Sequence, residues 1–416
     1  MSFNQIFRKA NLKLPLLLTL FFIVITNALF VSCWVVAENF DNKKDPSGDN
    51  FLKKTSPSGC ELVSETLTNV VAVRGLVSKE LVACSVYSKK EVEKYIRDTL
   101  NEQLPPEKLR HEEIALKALG LLPEEYNYKD GLISLYLSQL GALYDPRKKQ
   151  FIMVDWLPSL LQAPVVAHEL THALQDQHFR LDKLIDPKIE NGDLLLARLS
   201  LAEGDATALM YDFSFSGLLG GKKVADLAEV DGLVGQMQLS SRIISGLSGV
   251  PKFLQRLLLF PYSAGFKFVH FYLKRGGYAE IDKIFQDPPI TTAQIIHPAS
   301  YLKKERTGKK IELNLSGGAK IIYSDVLGEF VLREFLETFS IAEHVIDSIA
   351  SKWQGDLMAI VQENQTNNLK IIWLVSYGDR ESAKKFKDLF NLPSLGKKFS
   401  VTFGSDDHLV RISKEL

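Results

Sequence analysis

Apolar positions fall into three textures along the chain. Residues 14–37 form an uncharged apolar run behind Arg8, Lys9 and Lys13. A basic start followed by an apolar core is the charge order of an export signal. The run is also long enough to cross a bilayer, which takes about 20 residues. Val35-Val36-Ala37 offers a small-residue cleavage site; left uncut, residues 1–37 are an N-terminal membrane anchor. Residues 38–58 are polar and read as a flexible linker. Both outcomes place the rest of the chain outside the cytoplasm, secreted or membrane-anchored.

From residue 59 onward helical periodicity dominates. Ser88-Lys89-Lys90-Glu91 reads as a capping box, with Val92, Tyr95, Ile96 and Leu100 at helical spacing behind it. Pro105 and Pro106 break that helix. A second spans Glu107 to Leu119 and stops at Gly120, and a third runs from about Asp130 to Leu140. Leu143-Tyr144 and Phe151 to Val154 flank the polar stretch Asp145 to Gln150, the pattern of a β-hairpin. Pro164 suits the first position of the next helix, where its missing N–H costs nothing. Val165, Val166, Leu170, Ala173 and Leu174 make that helix a buried one. Asp193 to Phe213 is a long apolar helix, and Ala225 to Leu247 is helical but weakly patterned. Pro251 to Arg275 is strongly apolar, kinked at Phe260 to Gly265 and closed by Gly276-Gly277. Lys252, Arg256 and Lys267 interrupt it, which favours a core helix over a membrane contact.

Beyond Tyr301 the texture changes again. Strands at Ile311 to Leu315, Leu357 to Val361, Leu369 to Ser376 and Leu409 to Ile412 are interspersed with helices at Val326 to Phe339, Ala342 to Ser351 and Arg380 to Phe390. Asp356, Asp406 and Asp407 read as turn residues. The expected fold class is therefore α+β, mainly helical: a domain at 59–300 with a short β-hairpin, then a small α+β C-terminal domain at 301–416.

Composition adds one exclusion. Lys plus Arg equals Asp plus Glu, 50 each, so no basic excess points to nucleic acid. Cys60 and Cys84 are the only cysteines beyond the export segment. An oxidising compartment permits a disulfide between them, worth about 3 kcal/mol; two buried thiols are the alternative.

Chemistry concentrates in Val165 to Phe179, V-V-A-H-E-L-T-H-A-L-Q-D-Q-H-F. Residues four apart on a helix lie about 40° apart around its axis and about 6 Å along it. His168 and His172 therefore leave one face and can share a metal ion. Glu169, offset by about 100°, flanks that ion in the H-E-x-x-H pattern of a zinc hydrolase. A catalytic zinc takes three protein ligands. His178 has the spacing of a third histidine, but Gln175 stands where that pattern needs a glycine to turn the chain back. Glu203 is the better candidate. It is the only acid between Asp193 and Gly204 in an apolar helix, and a buried carboxylate needs a cation or donors. An ion pair with Arg198 is the bland alternative.

H-E-x-x-H followed by a glutamate on a second helix resembles the gluzincins, the thermolysin-type zinc peptidases. Together with A-E-G-D-A at Ala202, R-G-L at Arg74, Y-D-P at Tyr144, F-P-Y-x-x-G at Phe260 and H-P at His297, it also resembles a group of prokaryotic exported metallopeptidases, over most of the chain from about residue 60. The resemblance implies a zincin-like domain, one zinc ion per chain on His168, His172 and Glu203, and a peptide or protein substrate. The strand before the metal helix would offer its edge to that substrate. Glu169 would act as general base toward a zinc-activated water. Tyr262 and His297 are the candidates for stabilising the oxyanion, while His270 belongs to the core. Thermolysin-type enzymes carry Asp four residues after the ligand Glu; here that residue is Thr207, leaving Asp205 and Asp176 as candidates for steadying a ligand histidine. Competing expectations are a non-catalytic binding or assembly protein on such a scaffold, and an amidase acting on cell-wall peptides.

Overall fold

A computed structural model describes residues 60–416 except 104–105, 216–220, 245–248, 365, 367 and 397. The expected signal or anchor and the linker lie outside the described residues. Over the described residues the protein is mixed α+β, 56% helical and 15% strand. Helices thus hold most of the side chains that meet inside it. Among the described residues, no helix is long and apolar enough to cross a membrane.

Helix α1 (Glu61–Arg74) opens the described chain and is tied at its start to strand β1 (Ala83–Tyr87) by a Cys60–Cys84 disulfide, Cα–Cα 5.7 Å. The expected pairing is met. Helices α2 (Lys89–Gln103), α3 (Pro106–Ala118) and α4 (Tyr128–Gln139) follow, with the Ser88–Glu91 capping box formed at the start of α2. The expected hairpin is β2 (Ala142–Asp145) and β3 (Gln150–Val154), paired antiparallel from Ala142↔Met153 to Asp145↔Gln150. Asp145 builds the turn: its carboxylate accepts from Arg147 N–H at 2.9 Å, as turn-forming Asp does. Strand β1 joins in parallel to β3, giving the order β1-β3-β2 with β2 at one edge.

The centre is a stack of three helices: α5 (Ser159–Phe179), α6 (Gly192–Phe215) and, after α7 (Asp231–Ile244), α8 (Lys252–Gln286). Helix α6 packs against both of the others. Helix α5 begins at Ser159 rather than at Pro164. Leu161 packs against the core and draws the preceding turn into the helix, so Pro164 falls in its second turn, where it has no N–H to give to Leu160 O. Helix α8 lines the core, as its interrupting charges suggested, but runs on through Pro261. Its break is at Gly276-Gly277, where Gly277 has φ 63 and ψ −157, a conformation essentially confined to glycine.

A short helix, α9 (Thr292–Ile296), leads to the C-terminal five-stranded antiparallel sheet, order β4-β5-β6-β8-β7. Its strands are β4 (Lys320–Asp325), β5 (Trp353–Gln362), β6 (Leu369–Tyr377), β7 (Ser400–Phe403) and β8 (Leu409–Glu415). Helices α10 (Gly328–Glu337), α11 (Glu343–Ala350) and α12 (Arg380–Leu389) accompany it. Phe335, Trp373, Phe390 and Phe399 meet between sheet and helices. Ile311 to Leu315 does not form the expected strand. Its alternating apolar side chains instead pack against Ala359, Val361, Ile372 and Leu374 on the sheet. Asp356 is not a turn residue either. It is buried in β5 and accepts from Leu327 N–H and Gly328 N–H, both at 2.8 Å, holding the start of α10. The apolar core is continuous from Val63 to Ile412.

Candidate metal centre

Helices α5 and α6 cross so that three side chains meet. His168 Nε2 lies 3.0 Å from Glu203 Oε2, His172 Nε2 lies 3.4 Å from the same oxygen, and the two ring nitrogens are 3.2 Å apart. Each residue is about 1% exposed. Among the described residues this is the group of His, Cys, Asp or Glu able to hold one ion. Arg198, the bland partner for Glu203, instead donates to Leu184 O.

Why α6 and α8 approach so closely is written in two glycines. A Cβ on Gly265 of α8 would run into Ser200 O of α6, and one on Gly204 would meet the Gly265 carbonyl. Only bare backbone permits this contact. It brings Tyr262, one turn before Gly265, over the group. Its ring stacks on His168 at 6.0 Å and 25°, and its hydroxyl hydrogen-bonds to the Glu203 carboxylate. Burial holds the Tyr262 phenol well above its ordinary pKa, so it stays a proton donor.

Burial is also the main electrostatic force here. It would raise Glu203, but the charge of His172 and the hydrogen bonds from both imidazoles outweigh it and bring the carboxyl down to about 2. Burial lowers His168. In His172 it is overcome by Glu203, which lifts that ring to about 9. Glu169 is pushed up to about 8 by burial, against the pull of His172 and a hydrogen bond from Tyr144 N–H at 2.9 Å. The donor set suits a metal. Four-coordinate zinc at about 2.0–2.1 Å from each ligand puts its ligand atoms roughly 3.3–3.4 Å apart, close to the 3.0–3.4 Å separations seen.

Other candidates lie elsewhere. His297 does not join the group. It sits between two short helices and its Nε2 is 2.9 Å from the buried carboxylate of Glu329, which also pairs with Arg333. No hydrogen bond, ion pair or ring contact among the described residues links it to His168, His172 or Glu203. The Pro298 beside it starts a helical turn rather than folding the ring over the centre. His178 donates to Val77 O at 2.7 Å on the far side of α5. His270 is 6% exposed and donates to Leu227 O. Asp176 touches neither histidine; it binds Tyr144 Oη and Lys149 Nζ.

Three groups near the centre have roles that the sequence does not assign to them. Tyr144 supplies a backbone N–H, which any residue would supply. Gln175 accepts from His172 Nδ1 at 2.9 Å, and its i+3 spacing is the only hint of that. Arg74 reaches Asp205 across 131 positions. No family model, curated protein or solved structure matches the chain.

Proposed function

We propose that the chain is a zinc-dependent peptidase working outside the cytoplasm, with a zincin-like core formed by α5, α6, β2 and β3. The observation that carries this is the convergence of His168 Nε2, His172 Nε2 and Glu203 Oε2 within 3.0–3.4 Å, with Glu169 alongside. A zinc ion held by these three would polarise a peptide carbonyl and activate water toward it. Glu169, buried beside these three, would take a proton from the nucleophile and deliver it to the leaving amine. Tyr262, whose ring stacks on His168 and whose hydroxyl bonds to Glu203, is the donor we assign to the carbonyl oxygen as negative charge builds on it. Strand β2 runs past Glu169 at the edge of its sheet, and an extended peptide added there would come under the same carboxylate. The Cys60–Cys84 disulfide fits an oxidising compartment.

A non-catalytic scaffold is the second reading. The near-complete burial of His168, Glu169, His172 and Glu203, at 1–3% exposure, favours it, since a substrate must reach the metal. The test is elemental analysis of the purified protein with digestion of a broad peptide library by the parent and by Glu169→Gln. Peptidase activity predicts about one zinc in both proteins and hydrolysis in the parent alone. Zinc in both with no cleavage by either sinks the peptidase in favour of the scaffold.

A further inference from the structure

Behind His172 lies a chain of buried polar groups that runs away from the metal centre. Gln175 Nε2 is 3.0 Å from Ala202 O and 2.8 Å from Asp205 Oδ2. A backbone carbonyl can only accept, so this end of the Gln175 amide is the NH2. Its other end, Oε1, is therefore the carbonyl, and it faces His172 Nδ1 at 2.9 Å. A carbonyl oxygen there requires a proton on Nδ1. In a neutral ring the lone pair then falls on Nε2, the nitrogen aimed at His168 and Glu203.

The far end is anchored. Arg74 Nε lies 3.0 Å from Asp205 Oδ1 and 3.1 Å from Oδ2, and its NH2 group reaches Asp282 at 2.7 Å. Gln175 and Asp205 are 0% exposed and Arg74 is 1% exposed. The series Arg74, Asp205, Gln175, His172 alternates donor and acceptor at every step, so no member can reverse its polarity without leaving a buried group unpaired. Glutamate at 175 could not take both roles. It would still accept from His172 but would set its second oxygen against two acceptors.

We propose that Gln175, held by Asp205 and Arg74, is a positioning residue that fixes His172 as the Nδ1–H tautomer and so presents Nε2 to a metal. This rests on the zinc reading above. The relay replaces the carboxylate expected from thermolysin-type enzymes with a neutral amide whose orientation is set from a third helix, α1.

The test uses the full chain, zinc(II) and cobalt(II) as probes, and ring-nitrogen NMR of histidine. Gln175→Met keeps the side chain's length and deletes both of its bonds. It is expected to bind zinc roughly 10–100-fold more weakly in chelator competition, to change the cobalt d–d spectrum, and to lose a slowly exchanging His172 Nδ1–H resonance. Gln175→Glu is expected to recover the resonance and part of the affinity. A folded Gln175→Met with parental zinc affinity and an unchanged cobalt spectrum overturns the proposal. Should that variant not fold, the parent decides: a His172 ring carrying no protected Nδ1–H overturns it equally. A parent that shows the resonance but takes up no zinc sinks the metal reading and supports the hydrogen-bond relay.

Discussion

Tyr144 N–H donates to the Glu169 carboxylate across 2.9 Å, which fastens the edge strand β2 to the helix bearing the paired histidines. The bond is made by backbone, so its geometry follows from the hairpin register, with Tyr144 opposite Phe151. Tyr144 adds a second tie through its hydroxyl, 2.9 Å from Asp176, about two helical turns beyond Glu169. Glu169 is thereby kept beside His168, His172 and Glu203 instead of swinging toward bulk water.

If the three groups bind zinc in the folded chain alone, zinc stabilises that fold by mass action. An excess of about 100 to 1,000 times Kd adds roughly 2.7–4.1 kcal/mol. The melting midpoint should rise with zinc in calorimetry and fall with a chelator. His172→Ala should remove the zinc-dependent shift. A variant that still responds like the parent places the ion elsewhere.

Gly265→Ala puts a methyl against Ser200 O at the crossing of α6 and α8. Forced overpacking of this kind costs about 1–3 kcal/mol, and here it also displaces Tyr262 from Glu203. Urea unfolding should show the loss. Gly232→Ala, on α7 where an added Cβ meets nothing, should be neutral or stabilising by up to about 1 kcal/mol. Equal midpoints for the two variants would mean that the helix contact is not tight.

Asp193 is one buried carboxyl through which pH should act on stability. It is buried, Oδ1 accepts from Thr292 N–H at 2.9 Å, and Oδ2 has no hydrogen-bond partner. Burial pushes its carboxyl up to about 8, though the bonds from Thr292 oppose this. A folded pKa above the unfolded value near 3.9 means the folded chain holds this proton more tightly. Its stability contribution is complete below about pH 4 and is lost as pH rises through about 8. Asp193→Asn mimics the protonated form, so its unfolding free energy should fall by several kcal/mol less than the parent's between pH 5 and 8. Parallel pH profiles would refute the assignment.

What the chain discloses by eye depends on how far apart the cooperating residues lie. His168 and His172 share a helix face by spacing alone, and Glu203 stands out as a lone acid in an apolar helix. The capping box at Ser88 and the hairpin around Asp145 are equally local. Strand β1 is not: it is short, its exposure is uneven, and it pairs with β3 more than sixty positions later. Arg74 ends a helix like many another basic residue, and nothing nearby announces Asp205 as its partner. His297 is a candidate oxyanion donor by its residue type, whereas its ring is taken by Glu329. Ile311 to Leu315 misled because alternation reports a two-sided environment, and lying across a sheet supplies one as well as joining it.

The disulfide at the start of α1 has a mechanical side. Cys60 is bonded to the edge of the small sheet, and Arg74, fourteen positions on, is the residue locked against Asp205. Tension applied to the polypeptide ahead of Cys60 is passed covalently into β1 and its neighbours. Helix α1 is left unloaded, and the guanidinium at its far end keeps its seat while the chain in front of it is pulled.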